Sequence, residues 1–95
     1  MRFEWEKNRA NIRKHGLNFV EAAEMFHGPL LVRPNTRDDY GEKRWIGIGI
    51  TNGRVAFVAF TEEPEDTIRI ISLRKATHEE RKEYEKDLPN GLETN

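Results

Sequence analysis

The sequence predicts an α+β fold: a compact antiparallel β-sheet of four to five strands, with two N-terminal helices and one C-terminal helix. Three observations predict it. Between residues 30 and 75, short apolar and β-branched runs are separated by tight polar turns. Strands joined so tightly must pair antiparallel, because parallel neighbours need a crossover. Upstream, Phe19, Ala22, Ala23 and Phe26 recur at helical spacing, and downstream a Thr-capped polar helix follows the last strand without a linker.

Taken in order, Arg2–Trp5 alternates polar and aromatic residues and reads as a short strand. Glu6–His15 is polar, with Ala10 and Ile12 as its few small or apolar members, and reads as an exposed helix ended by Gly16. Glycine after a cationic last turn accepts the left-handed conformation that stops a helix. Asn18 with Glu21 three residues on forms a capping box for the second helix, which Gly28–Pro29 closes. Leu30–Arg33 is a brief strand and Pro34–Glu42 a polar loop. Lys43–Thr51 and Arg54–Thr61 are strands joined at Asn52–Gly53, a pair that accepts positive φ at both positions and so marks a hairpin. Glu62–Asp66 is a turn and Thr67–Lys75 the last strand. Thr77 with Glu80 caps the last helix. Residues 1–87 form a single domain, and 88–95 read as a flexible tail.

Helices grouped at the two ends of the chain are expected on one face of the sheet. Ile46, Ile48 and Ile50 are assigned to that face, and Trp45, Gly47 and Gly49 to the other. Two glycines at i and i+2 either leave a shallow patch for another chain or make room for helix packing.

Charged residues are 35% of the chain and apolar ones 36%, which fits a globular domain. No run approaches the apolar length of a membrane helix and no signal peptide follows Met1, so the expected location is cytoplasmic. Zero Cys excludes disulfides and thiolate metal sites. His15, His27 and His78 match no metal spacing, so neither metal nor cofactor is expected. The net charge of -1 argues against a generic nucleic-acid coat. Its distribution is uneven: ten Lys/Arg against seven Asp/Glu over residues 1–60, and six against ten over residues 61–95. Such a chain binds a polyanion at a site, or docks a basic protein on its acidic half.

The densest cationic stretch on an ordered element is the last strand, with Arg69, Arg74 and Lys75. Guanidinium groups match planar anions such as phosphate. In a regular strand Arg69 and Arg74 point to opposite faces, so they converge only through a bulge or a strand end. Otherwise one of them is structural, paired with the acids at Glu62–Asp66. His15 follows two cations, which favour a neutral imidazole able to act as a base; alternatively it caps the last carbonyls of its helix. Glu79, Glu80, Glu83 and Glu85 read as a solvated helix face. Trp5 and Trp45 either stack on bases or pack.

Several motifs together resemble the BrnT toxin family: Lys14-His15-Gly16 followed by Phe19, Arg44 followed by Gly47, and Arg69-Ile70-Ile71-Ser72-Leu73-Arg74-Lys75-Ala76 running on to Glu80-Arg81 and Tyr84. The resemblance covers about residues 3–85. It implies a RelE-like fold, a metal-independent ribonuclease toxin of a type II toxin–antitoxin pair, and no cofactor. It also implies an antitoxin with a ribbon-helix-helix DNA-binding part, through which alone operator DNA is reached. The chemistry uses the 2′-hydroxyl of RNA as nucleophile, so the protein supplies proton transfer and cationic stabilisation. On this view Arg74 and Arg69 are the candidate phosphate clamps, Lys14 and His15 the candidate proton-transfer groups, and Arg44, Lys75 and Arg81 the candidate RNA contacts. Two departures from the family pattern stand out: Glu6 replaces a common Asp, and Glu63 stands where many relatives carry Arg. The alternatives are a non-catalytic, antitoxin-binding subunit of a repressor complex and a generic protein-interaction domain.

Overall fold

A computed structural model describes residues 1–35 and 43–87. Eight elements follow one another: β1 (Arg2–Trp5), α1 (Asn8–His15), α2 (Val20–Phe26), β2 (Leu31–Asn35), β3 (Arg44–Thr51), β4 (Arg54–Glu63), β5 (Thr67–Lys75) and α3 (His78–Asp87). The fold is α+β, as the sequence predicts. Most of the expected loop after Asn35 and the tail from residue 88 lie outside the described residues.

The five strands form one sheet in the order β1-β5-β4-β3-β2. The meander β2 to β5 is antiparallel throughout. Its tightest turn is Asn52–Gly53, where φ is 54° and 75°. β1 adds a parallel edge to β5, with Arg2 opposite Thr67 and Trp5 opposite Ile70. The intervening helices and meander supply the crossover that parallel pairing needs. The sheet is therefore mixed.

Helices cover both faces, which corrects the expectation of a single covered face. On one face α1 lies against β5 and α2 against β3. Leu17, Phe19, Ala22 and Met25 bury there against Ala56, Val58, Phe60, Ile70 and Leu73. Trp45, Gly47 and Gly49 lie on this side. A Cβ at Gly49 would meet Leu30 Cδ1 at 2.9 Å and the Pro29 carbonyl oxygen at 3.3 Å. The glycines make room for the chain leaving α2, so the packing reading holds and no open patch exists there. Ile46 and Ile48 face the opposite way and pack with Phe57 and the Tyr84 of α3.

The caps behave as their chemistry requires. Gly16 ends α1 at φ 75°, its N–H bonded to the Ile12 carbonyl at 2.7 Å. Ahead of α2, Asn18 Oδ1 accepts the Val20 N–H at 2.9 Å, and the Glu21 carboxylate accepts the Asn18 N–H at 3.3 Å. For α3, Thr77 Oγ1 accepts the Glu80 N–H at 3.1 Å and Glu80 Oε1 accepts the Thr77 N–H at 2.9 Å. That is the reciprocal capping box.

α1 differs from its sequence reading in register. Ile12 is 41% exposed, whereas Asn11 is 7% exposed. The Asn11 amide donates to the Leu73 carbonyl at 2.8 Å and the Leu17 carbonyl at 2.9 Å, while its oxygen accepts the Leu73 N–H at 3.1 Å. One polar side chain thus ties α1 to β5. Nearby, Asn8 Oδ1 accepts the Phe19 N–H at 2.7 Å.

Candidate functional site

The site begins with one extra residue. Along β4 and β5 the register runs Phe57↔Arg74, Val58↔Leu73, Ala59↔Ser72, then shifts to Phe60↔Ile70 and Thr61↔Arg69. Ile71 has no counterpart, so β5 carries a bulge there. The cross-strand partners of Arg69 and Arg74 are Thr61 and Phe57, an even number of residues apart, and so share a face. The bulge therefore brings Arg69 and Arg74 to the same side of the sheet, the side opposite α1 and α2.

Arg44 joins them from β3. A concavity of 650 Å³ is lined by Arg33, Arg44, Arg74, Ser72, Phe57 and Glu80, among others. A smaller hollow of 170 Å³ is lined by Glu6, Lys7, Arg44, Arg69, Ile70 and Ile71. Arg44 and Ile71 border both, so the two hollows adjoin along one basic strip.

Arg33, Arg69 and Arg74 are each held by a neighbouring carboxylate. Arg69 Nε lies 3.5 Å from Glu63 Oε2, and the same oxygen accepts the Thr61 hydroxyl at 2.6 Å. Both outcomes left open by the sequence are thus met in part: the bulge is present, and Arg69 is paired within the predicted acidic turn. Arg33 pairs with Glu83. Arg74 makes a two-pronged bond to Glu80, Nη1 to Oε1 and Nη2 to Oε2, both at 2.9 Å. Its Nη1 also donates to the Lys75 carbonyl at 3.1 Å, and its Cζ sits 3.8 Å from the centre of the Phe57 ring. A guanidinium over an aromatic face gains cation–π attraction.

These contacts correct the reading of α3 as a solvated acidic face, since Glu80 and Glu83 turn inward onto the arginines. The Glu80 side chain is only 17% exposed. Burial would raise its pKa, but the bonds from Arg74 and from Thr77 outweigh that and hold it below the ordinary value of 4.5. On the other side of the sheet, Glu24 is held low by the Thr51 hydroxyl and the Asn52 N–H, which fasten the hairpin turn to α2.

The remaining sequence candidates do not gather here. Lys14 and His15 end α1, which packs on the opposite face, and neither lines either hollow. Lys75 is exposed but stands beside Ala56, in line with Leu73 on the helix-covered face. Arg81 is exposed on α3 and borders neither hollow. Trp5 packs edge-on against Phe19 at 6.3 Å, and Trp45 packs against the first core. No cluster of three or more potential metal ligands occurs among the described residues. Sequence reasoning missed Arg33, Phe57, Glu6 and Lys7 as lining groups. Phe57 was detectable as the strand neighbour of a basic position; the others depend on register and on the path between β1 and α1.

The fold and this strip define a small α+β domain with a concave, arginine-lined sheet face suited to a polyanion. Residues 3–80 match the family described as the ribonuclease toxin BrnT of type II toxin–antitoxin systems. The fold is similar to the crystal structure of the Brucella abortus ribonuclease toxin BrnT, with a TM-score of 0.67 and 32% identity, covering 82% of this chain and 99% of that one. Among curated proteins none matches the sequence. The chain belongs to the BrnT family of ribonuclease toxins. This membership supports endoribonuclease activity and implies an antitoxin partner. No helix among the described residues is long and apolar enough to cross a membrane.

Proposed function

We propose that this protein cleaves RNA in the cytoplasm on the basic sheet face, using the RNA 2′-hydroxyl as nucleophile and no metal. The observation that carries the proposal is the shared face of Arg69 and Arg74, created by the Ile71 bulge and completed by Arg44. At ~3.3 Å per residue the two strand arginines stand roughly 13 Å apart, a length suited to a few nucleotides of single strand. An intramolecular nucleophile leaves the protein two tasks: moving protons and stabilising the charge that develops on phosphate. Arg74, Arg69 and Arg44 are proposed for the second. For the first, Lys7 and Glu6 are better placed than Lys14 or His15, because they border the hollow that holds Arg69. An antitoxin with a ribbon-helix-helix part is proposed to neutralise the activity by covering this face.

The test is incubation of purified protein with single-stranded RNA in excess chelator. Products ending in 2′,3′-cyclic phosphate are expected. Cleavage abolished by the chelator, or ends without the cyclic phosphate, would contradict the mechanism.

The Glu63–Arg69 pair favours a second reading, a non-catalytic antitoxin-binding subunit. A carboxylate at position 63 neutralises one of the cations that the reaction needs. Absence of cleavage together with tight antitoxin binding would support it.

A further inference from the structure

Arg74 and Glu80 are joined in a way that the capping of α3 does not require. One carboxylate oxygen of Glu80, Oε1, accepts the Thr77 N–H, and with the Thr77 hydroxyl this completes the box. The other oxygen, Oε2, takes the Nη2 of Arg74. A guanidinium carries five N–H donors arranged along two forked edges. Glu80 occupies the Nη1/Nη2 edge, and the Lys75 carbonyl takes a further Nη1 hydrogen. The Nε–H and the second Nη2–H have no partner among the described residues. Those two donors form the other edge, parallel to each other and spaced for two oxygens of one phosphate. The guanidinium carbon lies 3.8 Å from the centre of the Phe57 ring, and Arg74 lines the larger concavity.

We propose that Glu80 is a positioning residue: by gripping the Nη1/Nη2 edge of Arg74 it aims the Nε/Nη2 edge at an RNA phosphate in the concavity. The proposal rests on the reading that RNA lies on this face. Glu80 touches no RNA; it acts through Arg74, which would otherwise sample several rotamers on a flexible stem. Preorganised donors are the ones that stabilise charge developing in a transition state. The ion pair is thus a brace that leaves the second edge available, not a quenching of the cation.

The experiment compares Glu80→Gln, Arg74→Ala and the double variant of the full chain, in two assays. One is single-turnover cleavage of a mixed-sequence single-stranded RNA. The other is binding of the same RNA carrying 2′-O-methyl groups, which cannot be cut. Gln completes a capping box as Glu does, so Glu80→Gln keeps the folded circular dichroism spectrum, with a lower melting temperature from the lost ion pair, and both assays are run well below it. Its amide cannot accept from both Arg74 nitrogens. Its cleavage rate falls about 10- to 100-fold, the scale of a misplaced group, while binding of the methylated RNA changes by about twofold. In the Arg74→Ala background, Glu80→Gln has no further effect. Should Glu80→Gln not fold, Arg74→Lys carries the test: it keeps the charge, lacks the second edge, and is expected to cleave as poorly as Arg74→Ala.

An unchanged or faster Glu80→Gln beside an inactive Arg74→Ala overturns the role of Glu80 alone. So does a loss that persists in full in the Arg74→Ala background, or wild-type cleavage by Arg74→Lys. Wild-type cleavage by Arg74→Ala overturns the placement of RNA on this face, and this proposal with it.

Discussion

Arg69 and Arg74 stand on one face of the sheet although they lie an odd number of positions apart, because Ile71 is an extra residue with no partner on β4. A regular strand would have sent one of them into the core beside Phe60 or Val58. The bulge instead gives the α1/α2 core Ile70 and Leu73, and the α3 face with its concavity Arg69, Ser72 and Arg74. One inserted residue satisfies the core and the basic strip together.

The bulge is flanked by a brace that should be costly to remove. Asn11→Ala leaves the N–H and carbonyl of Leu73 and the carbonyl of Leu17 without their side-chain partner. With an unmet buried group costing about 1–3 kcal/mol, the expected destabilisation is about 2–4 kcal/mol. Urea unfolding of the variant measures it. A loss below about 0.5 kcal/mol would show that water replaces the amide freely.

Glu63 sits beside Arg69 and weakens its hold on an anion. Glu63→Arg exchanges that acid for a cation, and Glu63→Gln simply releases Arg69. Both are expected to tighten RNA binding, Glu63→Arg more strongly, with the salt dependence steepened by about one phosphate contact. Binding isotherms across a range of salt concentrations read this out. Identical slopes for all three proteins would place position 63 away from the RNA.

Gly49→Ala tests the packing of the face covered by α1 and α2. The new methyl would meet Leu30 Cδ1 at 2.9 Å and the Pro29 carbonyl oxygen at 3.3 Å. Overpacking of this kind costs about 1–3 kcal/mol. A melting temperature equal to wild type would mean the segment leaving α2 yields without penalty.

Acid should destabilise the fold through Glu24 and Glu80, whose pKa values are both lowered from 4.5 in the folded state. A carboxyl with a depressed folded pKa binds protons more readily when unfolded. Its stabilisation is therefore complete above about pH 4.5 and is lost as pH falls through the lower folded value. Stability measured between pH 7 and pH 3 should decline below about 4.5, and less steeply in Glu80→Gln. A Glu80→Gln curve parallel to wild type would remove Glu80 from the acid response.

Local signals were legible and long-range register was not. Asn52–Gly53, the Gly16 stop and the Thr77–Glu80 box are set by the conformational needs of a few consecutive residues, and all three occur where the sequence puts them. The strand limits of β1 and β5 also match. By contrast, the face assigned to Ile46 and Ile48 was right in alternation but meets α3 and not α1 and α2, because apolar residues serve the α3 side as well as they would the α2 side. The parallel pairing of β1 depends on a neighbour far along the chain. Within the site, the basic positions of β5 were visible as residues, but their convergence depends on how β5 pairs with β4. Burial of Asn11 carried no local sign at all: a polar residue in a polar helix reads as exposed until its partner strand is known.

The most direct test of the basic face as the catalytic surface is RNA cleavage by Arg74→Ala, measured beside wild type on protein shown by circular dichroism to be folded. Arg74 is braced by Glu80 and Phe57, so its removal leaves Glu80 Oε2 without its partner, and a destabilisation of about 1–3 kcal/mol is expected. Cleavage of single-stranded RNA should fall about 10²–10³-fold, the scale of one lost charge-stabilising donor. A folded Arg74→Ala protein that cleaves RNA at the wild-type rate would contradict the account.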